Sequence, residues 1–359
     1  MTEVITDRPR IGISACIFDC PERYNGKRFD EVAKLGRERA DFAFTPVCPE
    51  CMAGLGVPRE PIHLTGSGTD VLAGRAKVKD RHGRDMTAQL VAGSRACVEA
   101  LERAGVRAVI LKESSPSCGL AKARIGARRR EASLTSGVFA EMLKATGWFL
   151  IPSTAFDSAL AWWDWRRRLH AWLWLSDRSL ATNGDLTAAW HVVKFIVQET
   201  QRAEAERIGR ELAALPKRAP RETLEALRTR MLDLLRAPTT RQRATAALWK
   251  TYVHHKKRGR LDGVDLHDLT VRSPEVLRNV TTIAEEIVGL ERIGFENDLL
   301  FGTSPVVYRD ARRVRSRGAS TPQSPAALAL DTAPGADPAP GYPPPPPPRR
   351  PPPPPPPPP

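Results

Sequence analysis

The sequence predicts an α/β protein: a Rossmann-like, doubly wound parallel sheet, followed by a second, all-α helical domain and a disordered proline-rich tail. Three observations lead to this prediction. Short apolar runs alternate with helix-spaced segments up to about residue 150, helical spacing with few glycines dominates residues 188–259, and residues 312–359 are mostly proline, arginine, alanine and serine. Strands that alternate with helices are typical of a parallel sheet, and a tail of this composition cannot bury enough apolar surface to fold.

The sheet is predicted from four apolar runs. These strands are expected at 10–15, 42–47, 106–111 and 148–151, with helices between them at 29–39, 87–104 and 138–145. The longest of these helices has apolar residues at Leu90, Val91, Val98 and Leu101, which fall on one face. Gly105 marks its end.

The predicted domains are 1–150 for the sheet domain, 151–187 for a tryptophan-rich linker of unclear structure, 188–305 for the helical domain and 312–359 for the tail. Seven of the eight tryptophans fall between Trp148 and Trp190, which fits either a buried helical linker or an aberrant stretch. Breaks at Pro216, Pro220 and Pro238 divide the helical domain. A further helix is predicted at 273–293.

The charge balance points to an anionic partner. Lysine and arginine number 55 against 41 acidic residues, a formal net charge of +14, which makes nucleic acid the first partner to consider and an anionic membrane surface the second. We find neither a secretion signal nor an apolar run long enough to span a bilayer, so we expect a cytoplasmic chain with no membrane partner. Thiols stay reduced in that compartment, so its six cysteines suggest a metal or catalysis rather than disulfides.

Three of these cysteines follow predicted strands. Cys16 and Cys48 come directly after the first two strands, and Cys118 follows the third within a few residues. Because the carboxyl ends of parallel strands meet at one edge of a sheet, we expect these three side chains to converge there, where ligands bind in such folds.

Three local motifs surround these cysteines. They are Ser14-Ala15-Cys16 followed by Arg23-Tyr24-Asn25-Gly26, Cys48-Pro49-Glu50 followed by Pro58-Arg59-Glu60-Pro61, and Lys112-Glu113-Ser114-Ser115-Pro116-Ser117-Cys118-Gly119. Together, over roughly residues 8–145, they resemble the TudS family of thiouracil desulfidases. Residues 188–260 resemble, more loosely, the helical YbgA-like domain. Bacterial proteins that join these two halves are similar to enzymes that remove the sulfur of 4-thiouridine in tRNA.

The resemblance implies a [4Fe–4S] cluster held by Cys16, Cys48 and Cys118, and thiolates are the ligands expected for iron–sulfur clusters. With three protein ligands one iron is open, and it can act as a Lewis acid for the sulfur of a thiocarbonyl. The resemblance also implies that water adds at the ring carbon, so that the net reaction is hydrolytic. The family's acid/base pair corresponds to Glu50 and Ser117.

Arg23, Arg59 and Asp85 are candidates to line the substrate pocket, and ordinary salt bridges explain them equally well.

Two cysteines are additional to the family pattern. Cys20 and Cys51 create Cys-x3-Cys and Cys-x2-Cys spacings with two of the motif cysteines, which leaves open a structural zinc site with four thiolates. That interpretation leaves Cys118 without a role. Cys97 lies on the apolar face of a predicted helix and is expected in the core.

A basic stretch without acidic residues runs through the predicted helical domain. Trp249 and Tyr252 interleave with its cations, a pattern that suits contact with RNA bases, whereas a solvated helix face is the alternative. The candidate RNA-binding residues are Arg236, Arg241, Arg243, Lys250, Lys256, Lys257, Arg258 and Arg260.

The sequence therefore leaves four interpretations open, of which three are functions and one is a degenerate gene. The first is an iron–sulfur desulfidase acting on 4-thiouridine in tRNA, and the second is the same chemistry on free 2-thiouracil or a thiolated nucleotide. The third is a zinc-stabilised nucleic-acid-binding protein without catalysis. The fourth is a degenerate gene whose RNA-binding half is impaired. The sequence does not predict the oligomeric state.

Overall fold

The structure is a computed structural model that describes residues 3–126, 133–216, 218–259, 288 and 304–311. These residues belong to one compact unit. The predicted tail at 312–359, and all of the predicted helix at 273–293 except position 288, lie outside the described residues. The division into domains at 150 and 188 therefore stays a prediction.

The strands are short, as expected for a small α/β fold. They are β1 (Glu3–Ile5), β2 (Arg10–Ser14), β3 (Ala43–Val47), β4 (Ile62–Leu64), β5 (Val78–Asp80), β6 (Ala108–Leu111), β7 (Ala123–Arg124), β8 (Leu134–Thr135), β9 (Phe149–Pro152) and β10 (Val306–Tyr308).

The α-helices of the described residues range from single turns to 19 residues. They are α1 (Pro49–Met52), α2 (Gly68–Leu72), α3 (Thr87–Arg103), α4 (Val138–Ala145), α5 (Ala159–Asp177), α6 (Asn183–Gln198), α7 (Arg202–Ala213), α8 (Arg221–Arg236) and α9 (Arg241–Lys256). No helix among the residues described is long and apolar enough to cross a membrane.

A four-stranded sheet in the order β3-β2-β6-β9 organises the fold, and all of its neighbouring strands are parallel. The strand order changes direction between β2 and β6, so the crevice of this doubly wound sheet opens beyond the carboxyl ends of these two strands. The predicted α/β class with a parallel sheet is confirmed, and the four predicted strands fall within two residues of the observed ones.

Helices cover both faces of the sheet. Val109 and Leu150 join the core formed with α3 and α4, whereas Ile11, Ile110 and Phe149 join the core that contains α5. Apolar residues on both faces explain why the strands are continuous apolar runs rather than alternating ones.

One predicted helix is wrong in type. The helix expected at 29–39 is a 3-10 segment at Val32–Asp41, interrupted at Gly36, whose φ of 52° is not helical. Glycine accepts this left-handed backbone at little cost, so an apolar periodicity here does not produce an α-helix.

The tryptophan-rich stretch folds as the buried helix α5. Trp162, Trp163, Trp165, Trp172 and Trp174 are all at most 8% exposed. A helix with large apolar side chains on most of its surface must be covered by other elements, and α5 packs against the sheet, α6 and α8. This packing gives the tryptophans a structural explanation.

A group of buried charges joins α5 to the helices that follow it. Arg167 donates to Asp164 at 2.7 Å and also to Glu199, and Arg168 donates to both oxygens of Asp164 at 3.1 Å. The backbone N–H of Thr239 donates to Asp164 at 2.9 Å. Two buried guanidinium groups are thus matched by two carboxylates.

Candidate active site

Three cysteines lie at the carboxyl edge of the sheet. Cys16 is in the 3-10 turn Ala15–Ile17 that follows β2, Cys48 precedes α1 directly after β3, and Cys118 is in the loop after β6. Burial is the main cause that raises the pKa of Cys118, and the neighbouring Cys16 thiol raises it further. Burial, and in part the Cys118 thiol, raises the pKa of Cys48. The structure thus brings the three predicted thiols into one electrostatic environment.

Burial also raises the pKa of the Cys16 thiol to about 11, although three neighbouring cations oppose this shift. Those cations are Lys112, Arg23 and Arg59. Without a metal, thiols in such surroundings stay protonated at neutral pH, and a thiophilic metal would displace their protons.

The loop that carries Cys118 is held tightly. Ser114 has a φ of 62°, a backbone conformation that costs a non-glycine residue about 1 kcal/mol. The Ser115 hydroxyl accepts hydrogen bonds from the N–H groups of Ser117 and Cys118, both at 3.2 Å. Gly137 packs so closely that a Cβ there would lie 2.4 Å from the Ser117 carbonyl oxygen. The positions of Ser117 and Cys118 therefore depend on backbone contacts.

The two residues of the predicted acid/base pair are hydrogen-bonded to each other. The Ser117 hydroxyl donates to Glu50 Oε1 at 2.8 Å, and Arg59 Nε donates to Glu50 Oε2 at 2.8 Å. Ser117 is fully buried, whereas the Glu50 side chain is 14% exposed. Glu50 is therefore the member of the pair that solvent reaches, and both of its oxygens are fixed in place.

Arg59 connects the carboxylate to the thiols. Its Nη1 donates to the Glu22 carbonyl oxygen at 2.9 Å and lies 3.7 Å from Cys51 Sγ, and its Nη2 lies 3.9 Å from Cys48 Sγ. Its side chain is only 5% exposed. Arg59 thus forms a salt bridge with Glu50 and also lies beside the thiols. Its surroundings fit both a structural salt bridge and a residue that lines the pocket.

The other two pocket candidates differ. Arg23 is close enough to Cys16 to lower the pKa of that thiol, and it lies 5.9 Å from the centre of the Phe29 ring. Asp85 instead pairs with Lys77 at 2.6 Å and accepts from the Thr87 N–H at 2.9 Å. None of the contacts described for Asp85 involves a cysteine.

Sequence reasoning assigned no role to two charged residues of this edge. Lys112 donates to Glu31 at 2.6 Å and favours the thiolate of Cys16. Lys112 lies in the same motif as Cys118, and this position was the one indication in the sequence that it belongs to the site. Glu22 lies beside Cys51, but it sits in a loop without any informative spacing.

The additional cysteines do not form the four-thiolate arrangement in the structure. Ligand atoms of Glu22, Cys48 and Cys51 lie within 4.8 Å of one another. Cys20 is not a member of this group, and its Sγ instead donates to the Phe18 carbonyl oxygen at 3.5 Å. Cys97 is fully buried in the core, as predicted.

The basic residues of the helical region have unequal surroundings. Arg236 is half-buried, donates to the Gly147 carbonyl oxygen and lies 5.4 Å from the Trp172 ring centre. Arg243 is exposed but donates to the carbonyl oxygens of Glu199 and Thr200 at 3.0 and 2.8 Å. The other described members, Arg241, Lys257 and Arg258, are exposed. The side chains of Lys250 and Lys256, and all of Arg260, lie outside the described residues.

Comparison with known proteins extends over the sheet region. A family model described as 2-thiouracil desulfurase matches residues 11–154. The uncharacterized protein YbbK of Bacillus subtilis (strain 168) is 33% identical over 151 residues, which are 41% of this chain and 98% of YbbK. A solved structure described as the [4Fe-4S]-dependent thiouracil desulfidase TudS is 28% identical, with 42% of this chain and 93% of that chain covered and a TM-score of 0.34.

Proposed function

The chain belongs to the 2-thiouracil desulfurase family, and we propose that it removes the sulfur of 4-thiouridine in tRNA by hydrolysis, with a [4Fe–4S] cluster held by Cys16, Cys48 and Cys118. The observation that supports this proposal is that the three cysteines follow neighbouring parallel strands at one edge of the sheet, beside the hydrogen-bonded Glu50–Ser117 pair.

The donor set fits an iron–sulfur cluster. Thiolates are its usual ligands, and each binds a different iron, so the three sulfurs need to surround a volume rather than a point. A cluster with three thiolates has excess negative charge, and the cations beside Cys16 offset it. When bound, the cluster would supply an iron without a protein ligand, a Lewis acid for the sulfur of a thiocarbonyl.

The chain's own residues manage the protons. The reaction replaces C=S by C=O, consumes one water and releases hydrogen sulfide, so it requires proton transfer but no oxidant. Glu50 is the carboxylate next to the thiols that solvent reaches, and it can take a proton from water and return it to the ring nitrogen. Ser117 and Arg59 each hold one of its oxygens, which orients the carboxylate.

Exposed cations in the helical region support tRNA as the substrate. Arg241, Lys257 and Arg258 are exposed, and the sequence has no acidic residue from 236 to 260. Such a surface suits the phosphate backbone of RNA. Free 2-thiouracil is the second candidate, because the family is described by that base.

A charge-neutralised variant separates these substrates. We expect Arg241→Gln/Lys257→Gln/Arg258→Gln to lower kcat/KM at least tenfold on tRNA that contains 4-thiouridine, and to leave kcat/KM on free 2-thiouracil unchanged. The slope of the logarithm of the tRNA binding constant against the logarithm of the salt concentration should become less steep by roughly 0.7–0.9 for each phosphate contact that is lost.

The matched control neutralises three exposed arginines elsewhere, Arg75, Arg81 and Arg202. Unchanged activity of the first variant on tRNA, or an equal loss in the control, would reject tRNA in favour of the free base.

A further inference from the structure

We propose that Glu22, Cys48 and Cys51 form a mononuclear site for a thiophilic divalent cation such as Zn²⁺, and that its occupant competes with the iron–sulfur cluster for Cys48. The site itself follows from contacts among described residues. Only the competition rests on the proposed function, because it requires Cys48 to be a cluster ligand.

The three ligand atoms are spaced for a single ion. One carboxylate oxygen and two Sγ atoms lie within 4.8 Å of one another. A tetrahedral zinc with Zn–S bonds of about 2.3 Å places its sulfur ligands about 3.8 Å apart, so small side-chain rotations complete the geometry. Two sulfurs this close suit one shared ion better than two separate irons.

The backbone holds the two thiols at this spacing. Cys48 is the N-cap of α1 and Cys51 lies within its single turn, and the Met52 N–H donates to the Cys48 carbonyl oxygen at 2.9 Å. Helix α3 presses on this turn, since a Cβ on Gly93 would lie 2.5 Å from the Pro49 carbonyl oxygen. Both ligands therefore sit on a short, well-supported segment.

The third ligand, Glu22, has an oxygen without a hydrogen-bond partner among the described residues. This oxygen, Oε2, is buried. A buried carboxylate oxygen is normally paired or bound to a metal. A cation between Glu22 and the two sulfurs would satisfy this oxygen.

A neighbouring cation lowers the charge of this site. Two thiolates and one carboxylate with a divalent cation leave one negative charge. The guanidinium of Arg59, which also pairs with Glu50, lies 3.7 Å from Cys51 Sγ and 3.9 Å from Cys48 Sγ. Its positive charge offsets part of the negative charge of the two thiolates.

Cobalt binding tests the site directly. The full-length chain, stripped of metal and kept anaerobic, is titrated with Co²⁺, which reports tetrahedral thiolate ligation by its charge-transfer and d–d absorption bands. We expect one strong site in the wild type and at least tenfold weaker binding in Cys51→Ser and in Glu22→Gln. Cys20→Ser is the matched control and should bind like the wild type. Circular dichroism verifies that each variant folds.

Wild-type cobalt affinity in both Cys51→Ser and Glu22→Gln would overturn the site, because the ion would then sit on other thiols.

Competition is measured by anaerobic cluster assembly on the same chains. Wild-type protein preloaded with Zn²⁺ should incorporate less than a tenth of the iron taken up without zinc, whereas Cys51→Ser should load iron equally well in both conditions. Full iron uptake by the zinc-loaded wild type would overturn the competition. Failure of the wild type to take up iron without zinc would overturn the proposed function, and the cobalt result would still decide the mononuclear site.

Discussion

Two regions of this molecule bury charged or ionisable groups, and they do so in opposite ways. In helix α5, the guanidinium groups of Arg167 and Arg168 face the carboxylates of Asp164 and Glu199. At the carboxyl edge of the sheet, thiols gather beside cations, and burial raises the pKa of each of the three predicted cluster ligands.

The difference teaches where a partner from outside the chain is needed. The α5 group contains its own counter-charges, so its guanidinium groups are matched by carboxylates of the same chain. The sheet edge has buried ligands whose ionised forms are disfavoured until a metal arrives. The first arrangement balances its charges within the chain, whereas in the second a bound metal would supply the missing positive charge.

The largest effect should come from removing a thiol of the sheet edge. We expect Cys118→Ser to lose most of the iron, from about four atoms per chain, together with desulfidase activity, because two thiolates hold a cluster poorly. Iron and acid-labile sulfide analysis of anaerobically purified protein measures this. Cys20→Ser should retain its iron, and an equal loss in that control would break the distinction between the three motif cysteines and the additional ones.

The next effect concerns catalysis without loss of the cluster. Glu50→Gln keeps the shape of the side chain but removes its capacity to accept a proton, so we expect kcat to fall by about 10²–10⁴-fold with unchanged iron content. Ser117→Ala, which removes only one hydrogen bond to Glu50, should have a smaller effect. Near-normal turnover in Glu50→Gln would show that another group transfers the proton.

The α5 region should respond in stability rather than in activity. Asp164→Asn leaves two buried guanidinium groups with one carboxylate, and we expect the free energy of unfolding to fall by about 3–5 kcal/mol. The control is Asp177→Asn in the exposed pair with Arg107, where a change of about 0–1 kcal/mol is expected. Urea denaturation distinguishes the two, and equal losses would contradict a special role for the buried group.

The most gradual effect is a pH dependence of stability. Burial and the nearby Arg166 guanidinium lower the pKa of His170 from 6.5 to about 3, so His170 is neutral in the folded chain. The unfolded chain binds a proton there below about pH 6.5, and stability should therefore decline from pH 6.5 toward pH 3, by at most about 1.4 kcal/mol per pH unit. His170→Phe should flatten this slope in unfolding experiments between pH 7 and pH 4, and an unaltered slope would contradict the assignment.

The placement of the three cysteines at one edge of the sheet was predictable from the sequence because it depends on strand order and not on side-chain detail. Cys16, Cys48 and Cys118 each follow an apolar strand, and parallel strands share an edge. The pairing of Glu50 with Ser117 over 67 positions is a different matter, since only their adjacency to cysteines and the family resemblance indicated it.

The remaining features depend on tertiary contacts that a local pattern does not contain. The two-stranded antiparallel sheets β4–β5 and β7–β8 have two or three residues per strand, too few for a periodic signal. The burial of α5 depends on the helices that cover it, and the 3-10 segment depends on one glycine torsion at Gly36. Glu22 lies beside the thiols in a loop whose carbonyl oxygen accepts from Arg59, 37 positions away in the sequence.

The most direct test of the metal centre is a metal and sulfide analysis of the full-length wild-type chain purified without oxygen. Three thiols around an open iron predict brown protein with about four irons and a similar amount of acid-labile sulfide per chain. Colourless protein that contains one zinc, and that gains no iron after the zinc is removed and cluster assembly is attempted, would contradict it.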